Sequence, residues 1–185
     1  MPRYVAFLGA INVGGNRLLM EDLRNALKYE DFEDVETVVA SDNVLFSHPE
    51  RPTPGLSEKL AFILREEFDV DSAVIVRTKE EVEALIAENP FAGENDDKFV
   101  HVMLLSRQPT AEQFADLDAN FGGPGKARSG GERMALGTEA LHIDFGAGVS
   151  SSKLTGAFIE RRLDARGTAR NLPSLRRIVE KMDHE

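Results

Sequence analysis

The chain has 185 residues, and 42% of them are hydrophobic, which is enough to fill the core of one domain or of two small ones. It has no cysteine, which excludes disulfides, thiolate nucleophiles, zinc–thiolate sites and iron–sulfur clusters. The net charge of −10 argues against general nucleic-acid binding, because that binding draws on clustered Lys and Arg. No apolar run approaches the roughly 20 residues that cross a bilayer, and no segment resembles a signal peptide. We therefore expect a cytoplasmic protein that does not contact membranes.

The first half of the chain predicts the element order β-α-β-β-α-β. Alternating and helical apolar periods predict these elements in turn: strand Arg3–Leu8, helix Met20–Glu30, strands Val35–Val39 and Asn43–Ser47, helix Gly55–Phe68, and strand Ser72–Val76. This order is typical of the ferredoxin-like unit. A linker helix over Lys79–Glu88 follows, and it ends at Asn89-Pro90 because a residue before proline disfavours helix.

The second half repeats that order. Its predicted elements are strand Phe99–Leu105, helix Thr110–Phe121, strands Glu132–Leu136 and Ala140–Phe145, helix Ser151–Leu163, a short strand Arg166–Ala169 and a terminal helix Pro173–Met182. The glycine-rich stretch Gly122–Gly131 predicts a loop. The fold class is therefore α+β with two ferredoxin-like units. We divide the chain into unit 1 (1–77), linker (78–97), unit 2 (98–169) and C-terminal helix (170–185), packed as one cooperative body.

The first strand is apolar on both of its faces. Val5 and Phe7 alternate with Tyr4, Ala6 and Leu8, and the two helices of a ferredoxin-like unit cover only one face of its sheet. We expect protein to cover the second face as well, either the other half of the chain or the partner of a homodimer.

The segment Asn12–Arg17 predicts a binding loop. In a ferredoxin-like unit the end of the first strand lies beside the start of the third, which places this loop next to Ser41-Asp42-Asn43. Gly14 and Gly15 permit close backbone approach, Asn12, Asn16 and Asn43 offer amide donors, and Arg17 offers a planar fork that suits phosphate or carboxylate. The loop could instead be a simple turn, with Asn16 capping the helix and Arg17 in solvent.

Three carboxylates at the same edge oppose an anion. Asp42, Asp69 and Asp71 would lie there and repel the anion unless a divalent metal bridged them to it. We predict no resident metal or cofactor. A second candidate is the stretch Gly146–Thr155 with Lys153, although it lacks the glycine before the lysine that a phosphate loop needs. Capping by a serine, with Lys153 in solvent, is the alternative.

The histidines offer less. His101 and His142 could share a sheet face with Arg133 and Asp144, an arrangement that is more often structural than catalytic. No familiar catalytic constellation is present, so the sequence does not decide whether the protein is an enzyme.

Several short motifs resemble those of the bacterial domain-of-unknown-function 1697 family (DUF1697). They are Tyr4–Arg17 with Ile11–Asn16 at its centre, then Ser41, Asn43, Val44 and Phe46, then Ser152–Thr155, and finally Arg170-Asn171. The resemblance spans the whole chain but implies no chemistry. The chain departs from the usual pattern at Gly9-Ala10, at Ala40 and Asp42, and at Leu172. Gly9, Ala40 and Leu172 replace an arginine, an asparagine and a tryptophan, which donate hydrogen bonds, and Asp42 adds a carboxylate. If those positions form the family's site, this member binds a different ligand, or binds it less well.

The leading hypothesis is a small-anion or phosphometabolite-binding protein with a regulatory role. Its candidate ligand-binding residues are Asn12, Gly14, Gly15, Asn16, Arg17, Ser41, Asn43, Lys153, Arg170 and Asn171. The alternative is a hydrolase of phosphates or acyl phosphates, by analogy with acylphosphatases, in which Arg17 holds the phosphoryl oxygens and Asn43 orients the nucleophile. RNA binding is less expected, because Tyr4 is the one obvious stacking aromatic in the first half.

Overall fold

The computed structural model describes residues 1–9, 18–94, 96–121, 131–146, 148–150 and 152–184, apart from the side chain of Ser41. The chain divides into two compact units. Unit 1 comprises Met1–Glu83 and Arg177–Glu185, and unit 2 comprises Ala84–Arg176. The helix predicted as a linker and the C-terminal helix are thus each divided between the two units.

Unit 1 carries the predicted element order. Its elements are β1 (Arg3–Leu8), α1 (Met20–Lys28), β2 (Glu33–Val38), β3 (Ala40–Ser47), α2 (Thr53–Phe68), β4 (Val74–Thr78) and the start of α3 (Lys79–Glu88). The strands form an antiparallel sheet in the order β2-β3-β1-β4. This is the strand order of a ferredoxin-like unit, as predicted.

Unit 2 has the same architecture. After a short 3-10 turn over Asp97–Phe99, its elements are β5 (Val100–Leu105), α4 (Ala111–Asn120), β6 (Arg133–Gly137), β7 (Ala140–Asp144), α5 (Gly156–Leu163), β8 (Gly167–Asn171) and the start of α6 (Leu172–Asp183). The antiparallel strand order is β6-β7-β5-β8. The predicted α+β fold with two β-α-β-β-α-β units is confirmed.

Each unit has its own hydrophobic core on the helix-covered face of its sheet. In unit 1 the alternate residues Tyr4, Ala6 and Leu8 of β1 pack with leucines such as Leu23 and Leu60 from the two helices. In unit 2 the core comprises, among others, Met103, Leu105, Leu117, Leu141, Ile143, Ile159 and Leu163. Burial of these side chains is the main favourable contribution to folding, at about 25 cal/mol per Å² of apolar surface.

The second face of the unit 1 sheet is also buried. Val5, Phe7 and Leu45 have no solvent-exposed surface, although they alternate with residues that face the helices. The prediction that both faces of this sheet are shielded from water is confirmed. Formation of a homodimer stays a prediction.

Several predicted boundaries are shifted, and those of α5 and β8 bear on candidate residues. Helix α5 begins at Gly156 rather than Ser151, because the Thr155 side chain accepts a hydrogen bond from the backbone N–H of Phe158 and caps the helix there. Strand β8 extends to Asn171, because His101 and Val102 pair with Asn171 and Arg170. Those two residues therefore belong to the sheet and not to the C-terminal segment predicted for 170–185.

The strand pairs around the central strand of each sheet match residue by residue. Val5 faces Arg77 across β1 and β4, and Val102 faces Arg170 across β5 and β8. Position by position, Leu8 of unit 1 corresponds to Leu105 of unit 2, and Arg77 corresponds to Arg170. The two units therefore share identical residues at equivalent positions of their sheets.

In the part of the chain that the structure describes, none of the helices combines the length and the apolarity that a membrane crossing needs.

Candidate functional site

The edge of unit 1 where β1 ends has the predicted neighbours. Phe7 pairs with Asn43 of β3, Leu8 pairs with Val74 of β4, and the Gly9 N–H donates to the Ala73 carbonyl at 2.8 Å. The end of β1, the β2–β3 turn and the loop before β4 therefore meet at one edge of the sheet. The predicted ligand-binding residues Asn12, Gly14, Gly15, Asn16 and Arg17 lie outside the described residues, as does the side chain of Ser41.

Asn43 holds the tight turn between β2 and β3. Its side chain is 1% exposed, and Nδ2 donates to the Val38 carbonyl at 3.2 Å. The turn residue Val39 has a φ of 66°, in the left-handed region that a β-branched residue rarely adopts. The Asn43 amide thus supports a strained turn at the candidate edge.

The described part of this edge is acidic. Asp42 is half-buried, while Asp69 and Asp71 are exposed. Asp69 adopts a φ of 54° and ends α2 by donating its backbone N–H to the Arg65 carbonyl. Among the described residues, no group of three carboxylates or histidines is placed to hold a metal ion.

The corresponding edge of unit 2 is closed by its own side chains. The Ser106 N–H donates to the Arg166 carbonyl at 2.8 Å, which matches the bond made by Gly9 in unit 1. Arg107 donates to the last carbonyls of α5, at 3.1 Å to Leu163 and 2.5 Å to Asp164. Gln108 then joins the edge to the β6–β7 turn.

The Gln108 side chain forms hydrogen bonds with one backbone carbonyl and one backbone N–H of the β6–β7 turn. Its Nε2 donates to the Gly137 carbonyl at 3.1 Å, and its Oε1 accepts from the Glu139 N–H at 2.6 Å. The positions in unit 1 that correspond in sequence to Arg107 and Gln108 are Ala10 and Ile11, whose side chains cannot form hydrogen bonds. Unit 1 therefore lacks the side chains that close this edge in unit 2.

Lys153 precedes α5 and is exposed. Its neighbour Ser152 donates from Oγ to the buried Glu132 carboxylate at 2.8 Å and accepts the Leu154 N–H at 3.1 Å. These bonds and the Thr155 cap engage the hydroxyls of Ser152 and Thr155 in local structure. Lys153 stays an exposed cation of this segment that could reach a ligand in solvent.

Arg170 and Asn171 have roles that recur in unit 1. The Arg170 side chain donates to the carbonyl of the preceding Ala169 at 2.8 Å, and Arg77 donates in the same way to Val76 at 2.9 Å. Asn171 accepts the Ser174 N–H at 3.0 Å and caps α6. Thr78 accepts the Glu81 N–H at 3.1 Å in the corresponding position.

Both arginines are buried, at 6% exposure for Arg77 and 9% for Arg170. The sequence interpretation missed Arg77. Both halves have the same sequence pattern, in which a strand leads through an arginine and a capping residue into a helix. The residues are Val76-Arg77-Thr78 and Ala169-Arg170-Asn171.

The prediction that His101 lies on the same face of the unit 2 sheet as Arg133 and Asp144 was wrong. This residue pairs with Ile143 and its ring contacts Phe145 edge-on, so it lies on the helix-covered face, where burial lowers the pKa of its imidazole. His142, Arg133 and Asp144 do share the opposite face, since Arg133 pairs with Asp144 and His142 lies two residues before it.

His142 is held on both ring nitrogens and is 1% exposed. Nε2 lies 2.9 Å from Glu88 Oε1, and Nδ1 lies 3.1 Å from Asn89 Nδ2. Asn89 Oδ1 accepts from the Phe91 N–H, which assigns the donor end of the amide to His142. Nδ1 therefore accepts from Asn89 and Nε2 faces the Glu88 carboxylate, so both ring nitrogens are engaged within the fold.

Asp144 and Arg133 form a second closed network. Arg133 Nη2 lies 2.6 Å from Asp144 Oδ2 and 2.6 Å from Glu94 Oε2, and its guanidinium stacks over the Phe91 ring. Hydrogen bonds from Arg133 to Asp144 and Glu94 raise the pKa of the guanidinium.

Of the candidate ligand-binding residues whose side chains the structure describes, Asn43 lies in unit 1, and Lys153, Arg170 and Asn171 lie in unit 2.

Comparison with known proteins agrees with the fold. The family model described as "Protein of unknown function (DUF1697)" matches residues 1–134. A solved structure, that of the conserved bacterial protein SP0830 from Streptococcus pneumoniae, is similar with a TM-score of 0.73 and 19% identity over 99% of each chain. Among curated proteins, no sequence matches this chain.

Proposed function

Since the chain belongs to DUF1697, a family of proteins of unknown function, we propose a function from its own residues: it binds a small anion, such as a phosphorylated metabolite, where β1 ends in unit 1. Asn12, Asn16 and Arg17 would donate to the anion, and Gly14 and Gly15 would let backbone N–H groups approach it. A regulatory role would follow from ligand-dependent stabilisation of this edge. A phosphorylated ligand would also place the protein in the cytoplasm, since such charged molecules do not cross membranes unaided.

The observation that carries this proposal is the contrast between the two equivalent edges. In unit 2 the chain leaves its central strand through Arg107 and Gln108, which satisfy the neighbouring helix end and turn. In unit 1 the chain leaves β1 at Gly9 toward a segment rich in glycine and asparagine that ends in an arginine. Residues that suit an anion therefore occupy, in the sequence, the place where unit 2 has residues that complete its own structure.

The acidic residues at this edge limit the kinds of anion that can bind there. Asp42, Asp69 and Asp71 repel a free dianion, so Arg17 has to supply much of the compensating charge. A ligand that also carries a hydroxyl or amine would gain from the carboxylates. We therefore expect a phosphorylated metabolite with neutral polar groups to bind better than inorganic phosphate.

No observation favours the hydrolase alternative. It needs the Asn43 amide to orient a nucleophile, whereas that amide is buried and donates to Val38. RNA binding on the sheet has no support either, because Tyr4 is 3% exposed and stacks on Phe46 within the core.

The first test is a thermal-shift screen of the whole chain against phosphorylated metabolites and nucleotides. A ligand at 100 times its dissociation constant stabilises the folded state by about 2.7 kcal/mol, which is readily detected. Absence of stabilisation by any phosphorylated compound would contradict the proposal.

The second test locates the site. Arg17→Ala should lower the affinity for a phosphorylated compound found in the screen by about 10- to 100-fold, because a charge-assisted hydrogen bond contributes about 1.5–3 kcal/mol. Arg65→Ala, at an exposed position on α2, is the matched control and should leave the affinity unchanged. Equal affinities in calorimetry would place the site elsewhere, with Lys153 the next residue to test.

A further inference from the structure

A groove of about 590 Å³ lies at the opposite edge of the unit 1 sheet, where β1 begins. It is bounded by the start of β1, the end of β3, the first half of β2 and the last turn of α6. Its apolar lining comes from Met1, Val35 and Met182, and its charged lining residues are Arg3, Asp34 and Glu36. This volume is within the range of small-molecule sites, which combine apolar walls with a few polar groups.

Arg3 is held rigidly in this groove. Nη1 donates to the Asp34 carbonyl at 2.8 Å, Nη2 donates to Glu36 Oε1 at 2.8 Å, and the side chain is 18% exposed. The bond to the Asp34 carbonyl orients the guanidinium independently of Glu36, so Arg3 can donate to a ligand carboxylate at little further cost in conformational entropy.

A distortion of β2 aims the Asp34 carbonyl at Arg3. The pairing of β2 with β3 shifts register between Glu33 and Glu36, and Asp34 has a φ of 49°. A non-glycine residue in the left-handed region is strained, and such bulges are common beside functional sites. The regular β6–β7 ladder of unit 2 has no such shift, so the distortion is not a requirement of the fold.

Glu36 lies between two cations. Its Oε1 is 2.8 Å from Arg3 and its Oε2 is 4.0 Å from Lys181 Nζ on α6. If another carboxylate took the place of Glu36 on Arg3, Glu36 would still have Lys181 as a partner. The groove can therefore accept an acid without leaving a carboxylate unpaired.

We propose that this groove binds a short aliphatic monocarboxylate. The carboxylate of the ligand displaces Glu36 from the Arg3 fork, Glu36 moves toward Lys181, and the hydrocarbon tail packs against Met1, Val35 and Met182. The inference does not depend on the proposed function, since it concerns a different edge of the sheet, a different arginine and a different class of anion.

The test is calorimetric titration of the whole protein with propionate, butyrate, pentanoate and hexanoate. Each added methylene buried in the groove should tighten binding about fourfold, from about 0.8 kcal/mol per CH₂. An affinity that does not depend on chain length would overturn the proposal, because it would show that the tail does not enter an apolar groove.

Variants at Arg3 and Glu36 test the contributions of the two charged groups separately. Arg3→Gln should weaken hexanoate binding tenfold or more, by about the strength of one charge-assisted hydrogen bond, while the surface control Arg65→Gln should not. Glu36→Gln should tighten binding, because the internal competitor loses its charge. If Arg3→Gln fails to fold, Glu36→Gln alone still tests the proposal. Unchanged or weaker hexanoate binding by Glu36→Gln would overturn the proposal that the ligand displaces Glu36 from Arg3.

The two proposals can fail separately. Phosphorylated ligands should bind Arg3→Gln normally, and hexanoate should bind Arg17→Ala normally. Loss of hexanoate binding in Arg17→Ala would show that the carboxylate binds at the other edge and would overturn this inference alone.

Discussion

Unit 1 and unit 2 have the same strand order and matching strand pairs, but they treat the ends of their sheets differently. Unit 2 closes its edges with its own side chains: Arg107 and Gln108 where β5 ends, and Arg133 with Asp144 where β5 begins. In unit 1, the chain after the end of β1 continues into a segment that contains glycines and asparagines. The start of β1 borders the Arg3 groove.

This difference suggests a division of roles within one repeated fold. A duplicated unit can keep its core in both copies while side chains at the strand ends diverge, because those positions contribute little to the core. The closed networks of unit 2 should contribute stability, whereas the strand ends of unit 1 should contribute binding. The predictions below test that division by changing matched positions in the two units.

The largest expected effect is at the end of β7. Asp144→Ala removes the buried partner of Arg133 and of the Gly146 N–H, so the free energy of unfolding should fall by about 3 kcal/mol. Ser47 occupies the corresponding position at the end of β3, and Ser47→Ala should cost less than about 1 kcal/mol. Urea unfolding measures both, and an equal loss at the two positions would contradict the division of roles.

A smaller effect is expected at Gly137. A Cβ at this position would lie 2.6 Å from Glu88 Oε1 and 2.6 Å from His142 Nε2, so Gly137→Ala should disrupt this network and cost about 1–3 kcal/mol. Gly156→Ala in α5 is the matched control, since its nearest contact would be Glu160 at 4.0 Å. The control should be neutral or slightly stabilising in thermal unfolding; similar losses in both variants would show that the close approach at Gly137 is unimportant.

The two helix caps should be equivalent. Asn171→Ala and Thr78→Ala each remove one capping acceptor, from Ser174 and Glu81 respectively, and each should lower stability by about 1 kcal/mol. Chemical denaturation of the two variants measures the losses. A large loss for only one of them would argue that the repeated arginine-and-cap motif has different roles in the two units.

The smallest effect is on pH dependence. Burial raises the pKa of the Glu88 carboxyl, but hydrogen bonds from Thr138 and His142 outweigh it and hold the pKa below its usual range. A lowered folded-state pKa means that this carboxylate stabilises the protein above its unfolded pKa and loses that contribution as the pH falls through the folded value. Thermal stability between pH 6 and about pH 3 should therefore fall less steeply in Glu88→Gln than in wild type.

Glu66→Gln is the control for this measurement, because Glu66 is exposed on α2. Its pH profile should follow that of wild type. A Glu88→Gln profile that also follows wild type would show that the carboxylate does not depend on the fold for its ionisation.

Local patterns predict most of the elements. Helix α3 is predicted over its full length, because its apolar period stops at Asn89-Pro90, where the backbone is constrained. The start of α5 is not predicted correctly, since Ser151, Ser152 and Thr155 are all reasonable caps and only Thr155 is used. Choosing among competing caps depends on tertiary packing, here the burial of Leu154.

The sites are less predictable than the fold. The proximity of Asn43 to the end of β1 follows from topology, because it needs only the strand order. The face of His101 needs the pairing register, which alternation within one strand does not supply. The Arg3 groove depends on a bulge at Asp34 and on Met182, which lies far away in sequence, so no local pattern indicates it.

The bulge in β2 also bears on association between chains. β2 is the outer strand of its sheet, and an outer strand with regular pairing can template the addition of a strand from another molecule. The register shift after Glu33 and the acidic side chains of Glu33, Asp34 and Glu36 make β2 a poor template, because they break the ladder geometry and repel a second copy. Edge-to-edge aggregation along β2 should therefore be suppressed, and any homodimer should form through another surface.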